Sequence, residues 1–182
     1  MSSILNFIYV LIFSANIQVP NTIYNFNVNN LEGGTQSLSA YTGKKILVVT
    51  LPISQTATND SLLYSLDTLA TSRSYHLQVV AVPAIEDGYN DSIKNQLLTW
   101  YRSHLQGNIL ISEGVYTRKT SGTQQHPLFQ WLTKESQNEI FDIDADAPWF
   151  KFITNDSGQL YGVLRPGSKI SGNSVQKTLN MQ

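Results

Sequence analysis

TQSLSAYTGKKILVVTL, residues 35–51, is the stretch that decides the fold. A short polar segment runs through Leu38 and Tyr41 into a Gly-Lys turn, and residues 46–51 then form a mostly apolar run rich in β-branched side chains. Such a run is typical of a parallel strand whose two faces are both covered. We therefore predict that residues 46–51 form the first parallel strand of the main sheet.

The chain after this strand alternates between helical and strand patterns. Apolar side chains recur at helical spacing over residues 62–70, behind a predicted cap at Thr58 or Asn59. A second apolar run follows at residues 77–82, so the unit is predicted to be strand, crossover helix and parallel strand. The remaining predicted elements are a helix from residues 90–91, a strand at 109–111, a helix at 127–132, a hairpin of strands 150–154 and 159–164, and a helix at 174–179.

Upstream of the deciding stretch, residues 22–28 alternate apolar and polar side chains, which is the period of a half-buried strand. Gly33 and Gly34 supply a turn, and the chain returns through Leu38. An N-terminal β-hairpin is therefore predicted ahead of the main sheet.

The N-terminal segment, residues 1–21, is predicted to be an apolar leader. The first 31 residues carry no charged side chain, and residues 4–13 read ILNFIYVLIF. Ten residues are too few for a helix to cross a bilayer, which needs about 20. We interpret the leader as a signal peptide of an exported, periplasmic or envelope-associated protein. The alternatives are a retained segment that contacts a partner or the membrane through residues 4–13, and an ordinary buried element.

The composition excludes some classes of partner. Twelve basic residues against 13 acidic ones leave no electrostatic footprint for nucleic acid. The charged fraction of 14% is low, which mildly favours a protein that works in a complex or outside the cytosol. The chain contains no cysteine, so it forms no disulfide and holds no thiolate.

Three stretches in order resemble the glutathione peroxidases. Residues 35–51 resemble the family's opening, V-S-L-S-x-Y-x-G-K-x-L-L-I-V-N. Residues 126–132, HPLFQWL, resemble the start of a family helix, H-P-L-Y-K-F-L. Residues 150–160, FKFITNDSGQL, resemble a family hairpin, T-K-F-L-V-D-x-x-G-x-V. With the spacing between them, the resemblance covers roughly residues 22–180. It implies that residues 22–182 form one α/β domain, a thioredoxin-like mixed sheet flanked by helices with an N-terminal β-hairpin.

The resemblance also implies where a reactive sulfur would lie. The family places a Cys or selenocysteine at a helix N-terminus after the first parallel strand, where the helix dipole favours the thiolate. A gapless continuation of the strand match sets Gln55 at that position, and Gln cannot attack a peroxide. The supporting family residues fall on Glu86, Ala147 and Pro148, so no catalytic residue is carried over. Trp149 lies two residues beyond the family's Trp, and a register shift could return an indole to the site.

Other chemistry in the sequence is weak. Asp142, Asp144 and Asp146 form D-I-D-A-D, but the Gly and Glu of a calcium loop are missing, and a solvated edge is the simpler interpretation. The three histidines are widely separated and share no zinc spacing, so we expect neither a metal nor another cofactor. The aromatic side chains most in question are interpreted as packing residues, with a protein-binding patch as the alternative: Trp100, Tyr101, Trp131 and Trp149.

The leading hypothesis is a catalytically inactive relative of the peroxidases that acts as a binding or structural component, with a protein partner. The alternative is an enzyme that uses the pocket at the strand ends for thiol-independent chemistry. A third possibility is that a partner supplies the cysteine. The candidate ligand-binding residues are Ser54, Gln55, Thr56, Glu86, Asp87 and Trp149.

Overall fold

The computed structural model describes residues 21–106 and 108–180. The predicted leader lies outside the described residues except for Asn21, and so does the apolar run at 4–13. Among the described residues, no helix combines the length and the apolarity that crossing a bilayer requires.

Five strands form one mixed sheet in the order β5-β4-β3-β6-β7. The strands β3, β4 and β5 are parallel, β6 is antiparallel to β3, and β7 is antiparallel to β6. A separate antiparallel pair, β1 and β2, forms the predicted N-terminal hairpin. The strands are β1 (Asn27–Asn29), β2 (Thr35–Ser37), β3 (Lys45–Leu51), β4 (Leu77–Pro83), β5 (Ile109–Ile111), β6 (Lys151–Thr154) and β7 (Leu160–Leu164).

Helices cover both faces of this sheet, and the apolar core lies in two layers. The helices are α1 (Ala57–Ser72), α2 (Lys94–His104), α3 (Pro127–Thr133), α4 (Glu135–Asn138) and α5 (Asn173–Asn180). In β3, Leu47 and Val49 pack with α1, α2 and α5, whereas Ile46 and Val48 pack with α3. The apolar run of this strand is therefore buried on both faces, as its composition predicts.

The segment before the hairpin is not the strand predicted at residues 22–28. Ile23–Asn25 is a 3-10 helix, and β1 begins only at Asn27. The Tyr24 hydroxyl lies 2.9 and 2.8 Å from the carbonyl oxygens of Lys44 and Asp156, which share its single proton. These distant contacts hold the chain in a turn that the alternation of side chains does not reveal.

Two predicted helix starts are also wrong. The cap of α1 is Thr56, whose Oγ1 accepts the Asn59 amide at 3.2 Å, rather than Thr58 or Asn59. The second helix starts at Lys94, because the Asn90 carboxamide accepts the Ser92 amide at 3.0 Å and forms a turn there instead. The cap of α3 is placed as the sequence indicates, with Pro127 in the first turn behind His126.

Candidate functional site

Gln55 lies in the loop that leaves the carboxyl end of β3. It is exposed and comes directly before Thr56, the cap of α1. The start of this loop is anchored from α2, because the buried Tyr101 hydroxyl donates to the Pro52 carbonyl at 2.7 Å. Gln55 therefore occupies the approach to a helix N-terminus, on a fixed scaffold.

Asn59, in the first turn of α1, connects this loop to the start of β6. Its side-chain amide donates to the carbonyl of Ser54 at 2.8 Å and to the Ser54 hydroxyl at 3.3 Å. Its carbonyl oxygen accepts the Trp149 indole N–H at 3.0 Å. Donor and acceptor of Asn59 are thus both used inside the protein.

Trp149 is held in an unusual backbone conformation. Its φ of 70° lies in the left-handed region, which bulky residues rarely adopt, and its side chain is only 7% exposed. The Trp149 amide donates to the Thr50 carbonyl at 2.7 Å, while its indole bonds to Asn59. An indole therefore does lie beside the Gln55 loop, although the sequence register puts it two residues late.

Lys151 lies beneath Trp149 and is 1% exposed. Its ammonium donates to the Trp149 carbonyl at 2.7 Å, and among the described residues no carboxylate pairs with it. Burial lowers the pKa of Lys151 from 10.5 to about 8. Within residues 21–106 and 108–180, this corner thus holds a buried amine without a countercharge.

Asp60 follows Asn59 in the first turn of α1, and its carboxylate contacts two side chains of α2. One of its oxygens accepts the Trp100 indole N–H at 2.8 Å and lies 3.5 Å from His104 Nε2. The carboxylate is therefore used to hold the two helices together.

Glu86 lies at the neighbouring corner, after β4, and is saturated with hydrogen bonds. Its carboxylate accepts the amides of Thr117 and Arg118 at 3.0 and 2.8 Å and the Ser121 hydroxyl at 2.6 Å. Partial burial raises the pKa of Glu86, but the bonds from Ser121 and the two amides outweigh it, so the net shift is downward. Glu86 is thus kept ionised and fixes the loop after β5.

Asp87 pairs with the Arg118 guanidinium. Burial raises the pKa of Asp87, and the charge of Glu86 adds to the shift, while Arg118 opposes it. A carboxylate with a raised pKa is what the thiol-independent enzyme alternative predicts. This one is already engaged by a cation.

The structure brings the predicted site residues together as two corners of one sheet edge. Ser54, Gln55, Thr56 and Trp149 form the first, which we call the Gln55 corner together with Asn59 and Lys151. Glu86 and Asp87 form the second, the Glu86 corner, together with Arg118 and Ser121. The corners meet where Gly88, with φ of 104°, approaches Ile53, since a Cβ there would lie 3.0 Å from Ile53 Cδ1.

The two other positions matched to the family serve the backbone. The carbonyl of Ala147 accepts the Thr50 hydroxyl at 3.0 Å, and Pro148 is half-buried between Ala147 and Trp149. Both shape the approach to Trp149, and neither offers a side-chain hydrogen-bonding group at the site.

Two of the three aspartates of D-I-D-A-D are engaged by the protein. Asp142 pairs with Lys119 at 2.6 Å, and an oxygen of Asp144 accepts the amides of Lys119 and Ala145, both at 2.9 Å. Among the described residues, no group of three or more His, Asp or Glu side chains could hold a metal ion.

An open groove of about 420 Å³ lies beside Gln55. It is lined by Gln55, Gln96, Thr99, Trp100 and Ser103. The four aromatic side chains in question at the sequence level, Trp100, Tyr101, Trp131 and Trp149, are all buried. The groove is therefore rimmed by neutral amides and hydroxyls above one edge of a buried indole.

Sequence reasoning missed two residues that build the Gln55 corner, Asn59 and Lys151, and also Asp60, which joins α1 to α2. The sequence indicates Asn59 only as a cap, although its spacing of three residues from Thr56 is a signal for a polar first turn. Lys151 lies in a run that predicts a buried strand. A lysine is rarely fully buried, so its presence in that run is a signal of an unusual site.

Comparison with known proteins agrees with this geometry. No known protein-family profile matches the chain. Glutathione peroxidase 1 of Caenorhabditis elegans is 25% identical over 141 residues, which cover 77% of this chain and 84% of that protein. The crystal structure of T. cruzi GPX1 superposes with a TM-score of 0.63 at 16% identity, covering 87% of this chain and 94% of that one.

A thiol:disulfide interchange protein of the thioredoxin family from Chlorobium tepidum superposes with a TM-score of 0.56 at 15% identity. It covers 88% of this chain and 97% of that one. The predicted resemblance to glutathione peroxidases and the thioredoxin-like fold are both confirmed, in a chain that contains no cysteine.

Proposed function

We propose that the protein is a non-catalytic, glutathione peroxidase-like domain that acts as a binding or structural component. The observation that carries this proposal is Gln55, an exposed carboxamide at the helix approach where the resemblance places the reactive sulfur. A carboxamide has no electron pair nucleophilic enough to attack the O–O bond of a peroxide. Without a thiolate, the scaffold offers a surface rather than a reaction centre.

The contacts around Gln55 support this proposal. The polar side chains near Gln55 are those of Asn59, Trp149 and Asp60. Each of them is hydrogen-bonded to another residue of the protein and is not free to contact a substrate. Such internal saturation rigidifies a corner without leaving groups aimed at a reacting atom.

The alternative of a thiol-independent enzyme has Asp87 in its favour, because the pKa of this carboxyl is raised. A general acid or base must be free to exchange a proton with substrate. Asp87 faces Arg118 and Glu86 holds three donors, so these contacts favour a structural role for the pair.

We further propose that the protein works outside the cytosol, as an exported or envelope-associated component. The support is the uncharged stretch of 31 residues at the N-terminus and the low charged fraction of the chain. Fractionation of the native source, followed by N-terminal sequencing of the purified protein, tests this proposal. Recovery from the cytosol with residues 1–21 intact would contradict it.

A gain-of-function experiment tests the assignment of Gln55. The purified wild-type protein should show no turnover of hydrogen peroxide or of an organic hydroperoxide with thiol reductants. In Gln55→Cys, the thiolate should attack one peroxide oxygen, which gives a sulfenic acid on the protein and releases water or an alcohol. Trapping of the sulfenic acid followed by mass spectrometry measures the reaction.

Thr68→Cys is the matched control. Thr68 is exposed on α1, far from the helix N-terminus that Gln55 precedes. The thiol at residue 55 should react at least about tenfold faster, since the helix dipole lowers its pKa and raises the thiolate fraction. Equal rates would contradict the match of Gln55 to the nucleophile position. Peroxide turnover by the wild-type protein would overturn the proposed function itself.

A further inference from the structure

A cavity of about 290 Å³ lies at the end of the sheet opposite the Gln55 corner, where the parallel strands β3 and β4 begin. It is lined by basic, acidic and apolar side chains, among them Lys45, Arg73, His76, Asp156, Leu77 and Leu179. We call this recess the basic cavity. Its volume is close to the lower limit of small-molecule sites, so a ligand that fills it must be small.

The three basic residues come from separate parts of the chain and are fixed relative to one another by the backbone. Lys45 begins β3, Arg73 follows α1, and His76 precedes β4. The Arg73 carbonyl accepts the amides of His76 and Leu77, both at 2.9 Å, and the Lys45 amide donates to the His76 carbonyl at 3.0 Å. Three basic groups thus lie around one recess in a fixed arrangement, which lowers the free-energy cost of binding a shared ligand.

The charge of Arg73 is compensated differently from that of four other cations. Those four pair with carboxylates: Lys94 with Glu113, Arg102 with Glu32, Arg118 with Asp87, and Lys119 with Asp142. Arg73 instead donates to two neutral carboxamides of α5, those of Asn180 at 2.9 Å and Gln176 at 2.7 Å. These bonds hold the guanidinium in place, use two of its five N–H groups, and leave it without a carboxylate partner among the described residues.

The helix C-termini and Asp156 account for only part of this basic character. The Lys45 ammonium donates to the Leu179 carbonyl, in the last turn of α5, at 2.9 Å. The dipole of α1 contributes about half a negative charge near Arg73. Asp156 is the one carboxylate among the described lining residues, but it is exposed, and Arg73 bonds to amides rather than to it. The His76 side chain bonds to no described residue, so the cavity keeps donors for an anion.

We propose that the basic cavity binds the phosphate group of a small soluble molecule. A phosphate monoester carries about 1.5 to 2 negative charges at neutral pH and offers three strong acceptor oxygens. A planar guanidinium such as that of Arg73 suits two of these oxygens at once, and an ammonium such as that of Lys45 supplies a point charge. The buried Leu77 and Leu179 offer apolar contact to a short carbon skeleton. The inference goes beyond the proposed function, because no residue of this cavity belongs to the Gln55 corner.

A titration of the full chain with inorganic phosphate, followed by NMR chemical shifts of the backbone amides, tests the site. The amides of His76 and Leu77 should shift saturably, with a dissociation constant on the order of 1 mM. Arg73→Gln should weaken binding at least about tenfold, because it removes a charge and the paired donors. The matched control is Arg165→Gln, an equal change of charge at an exposed residue after the far end of β7, and it should leave the dissociation constant unchanged.

A variant that strengthens binding keeps the test independent of folding. Asp156→Asn removes the carboxylate that lines the cavity, so phosphate should bind about threefold more tightly or better. Asp146→Asn makes the same change of net charge at an exposed residue near Trp149, and it should have no effect. Circular dichroism checks that each variant folds, and if Arg73→Gln does not fold, the gain in Asp156→Asn still decides. A wild-type protein without saturable shifts, or equal affinities in each variant and its matched control, would overturn the inference.

Two further probes identify the source of the phosphate. Membrane binding through lipid phosphates relies on clusters of about four to eight exposed Lys or Arg residues, whereas this recess has two. Glycerol 3-phosphate should therefore bind at least as tightly as inorganic phosphate, and phosphatidylcholine vesicles that contain phosphatidic acid should not sediment with the protein. Sedimentation with the vesicles that Arg73→Gln abolishes would overturn the soluble source and assign the site to a lipid headgroup.

Phosphate binding and peroxide turnover are separate measurements. A protein that neither binds phosphate nor turns over peroxide rejects the basic cavity as a site and leaves the non-catalytic role in place. Peroxide turnover rejects the non-catalytic role whatever the affinity for phosphate.

Discussion

The Gln55 corner and the Glu86 corner lie side by side at one sheet edge, yet they treat charge in opposite ways. In the Glu86 corner, each carboxylate meets donors: Glu86 accepts three hydrogen bonds and Asp87 pairs with Arg118. In the Gln55 corner, neutral amide and indole groups bond to one another above Lys151, a buried cation whose one partner among the described residues is a backbone carbonyl. The compensated charges stabilise one loop, whereas the uncompensated charge weakens the other corner.

Charge near a strand end therefore does not by itself indicate chemistry. Glu86 and Asp87, the acidic candidates of the sequence, are engaged by donors, whereas the exposed groups beside the groove that bond to no other described residue are the carboxamides of Gln55 and Gln96. Changes of pH and single substitutions should separate the two corners.

The largest expected effect comes from Lys151. Its pKa is lowered from 10.5 to about 8, so the unfolded chain binds more protons than the folded protein between these values. Stability should therefore rise with pH, by about 2 kcal/mol between about pH 7 and about pH 9.5. Chemical denaturation at a series of pH values measures this, and the same series on Lys151→Met accounts for the tyrosines, which begin to titrate near the upper end of this range.

Lys151→Met should abolish this rise, because it removes the buried ammonium. The matched control is Lys169→Met, an exposed lysine, which should keep the pH dependence of the wild-type protein. A wild-type protein whose stability is flat over the same interval would mean that Lys151 finds a countercharge or water in solution.

A smaller effect is expected at the Glu86 corner. Glu86→Gln replaces two acceptor oxygens by one and turns an amide N–H toward existing donors, which should cost between about 1 and 2 kcal/mol of the free energy of unfolding. Because the pKa of Glu86 is lowered, its contribution is present above pH 4.5 and is lost as the pH falls through the folded value. The variant should accordingly lose part of the acid sensitivity of the wild-type protein.

Asp142→Asn provides the comparison for Glu86, since Asp142 is a carboxylate paired with Lys119 whose side chain is 64% exposed. Its denaturation midpoint should match that of the wild-type protein, because exposed ion pairs contribute little. If both variants have the same midpoint, the hydrogen bonds of Glu86 do not stabilise this corner.

The smallest effect is expected from Asn59→Ala, which releases both Ser54 and Trp149. The loss should be about 1 kcal/mol, with a change in tryptophan fluorescence because the Trp149 indole loses its acceptor. Thr58→Ala, at an exposed position of the same helical turn, should change neither quantity. An unchanged emission spectrum in Asn59→Ala would argue against the Asn59 to Trp149 bond.

Local pattern predicts the elements of this fold where burial is uniform. Residues 46–51 and 77–82 are buried on both faces, so their apolar runs match β3 and β4 within one residue at each end. Pro127 marks the first turn of α3 because its fixed φ suits that position. The predictions fail where contacts with distant residues determine the local conformation. An example is Tyr24, whose hydroxyl contacts the carbonyls of Lys44 and Asp156.

The candidate site could be predicted only in part. The strand match places Gln55 at the helix approach, and Glu86 and Asp87 follow β4 as the sequence indicates. The left-handed backbone of Trp149 could not be predicted, because only the surrounding contacts hold a bulky residue there. The position of its indole beside Asn59 follows from that conformation.

The absence of a cysteine and the alternation of buried strands and helices can be read from the residues alone, because the identity of a residue and the periodicity of burial are local properties. Which polar groups are hydrogen-bonded within the protein, and which stay available to a ligand, depends on the tertiary structure. Hydrogen bonds such as those of Trp149 with Asn59 and of Glu86 with Ser121 join residues 90 and 35 positions apart in the chain. Whether a charge is compensated depends on such distant partners, which folding alone brings within reach.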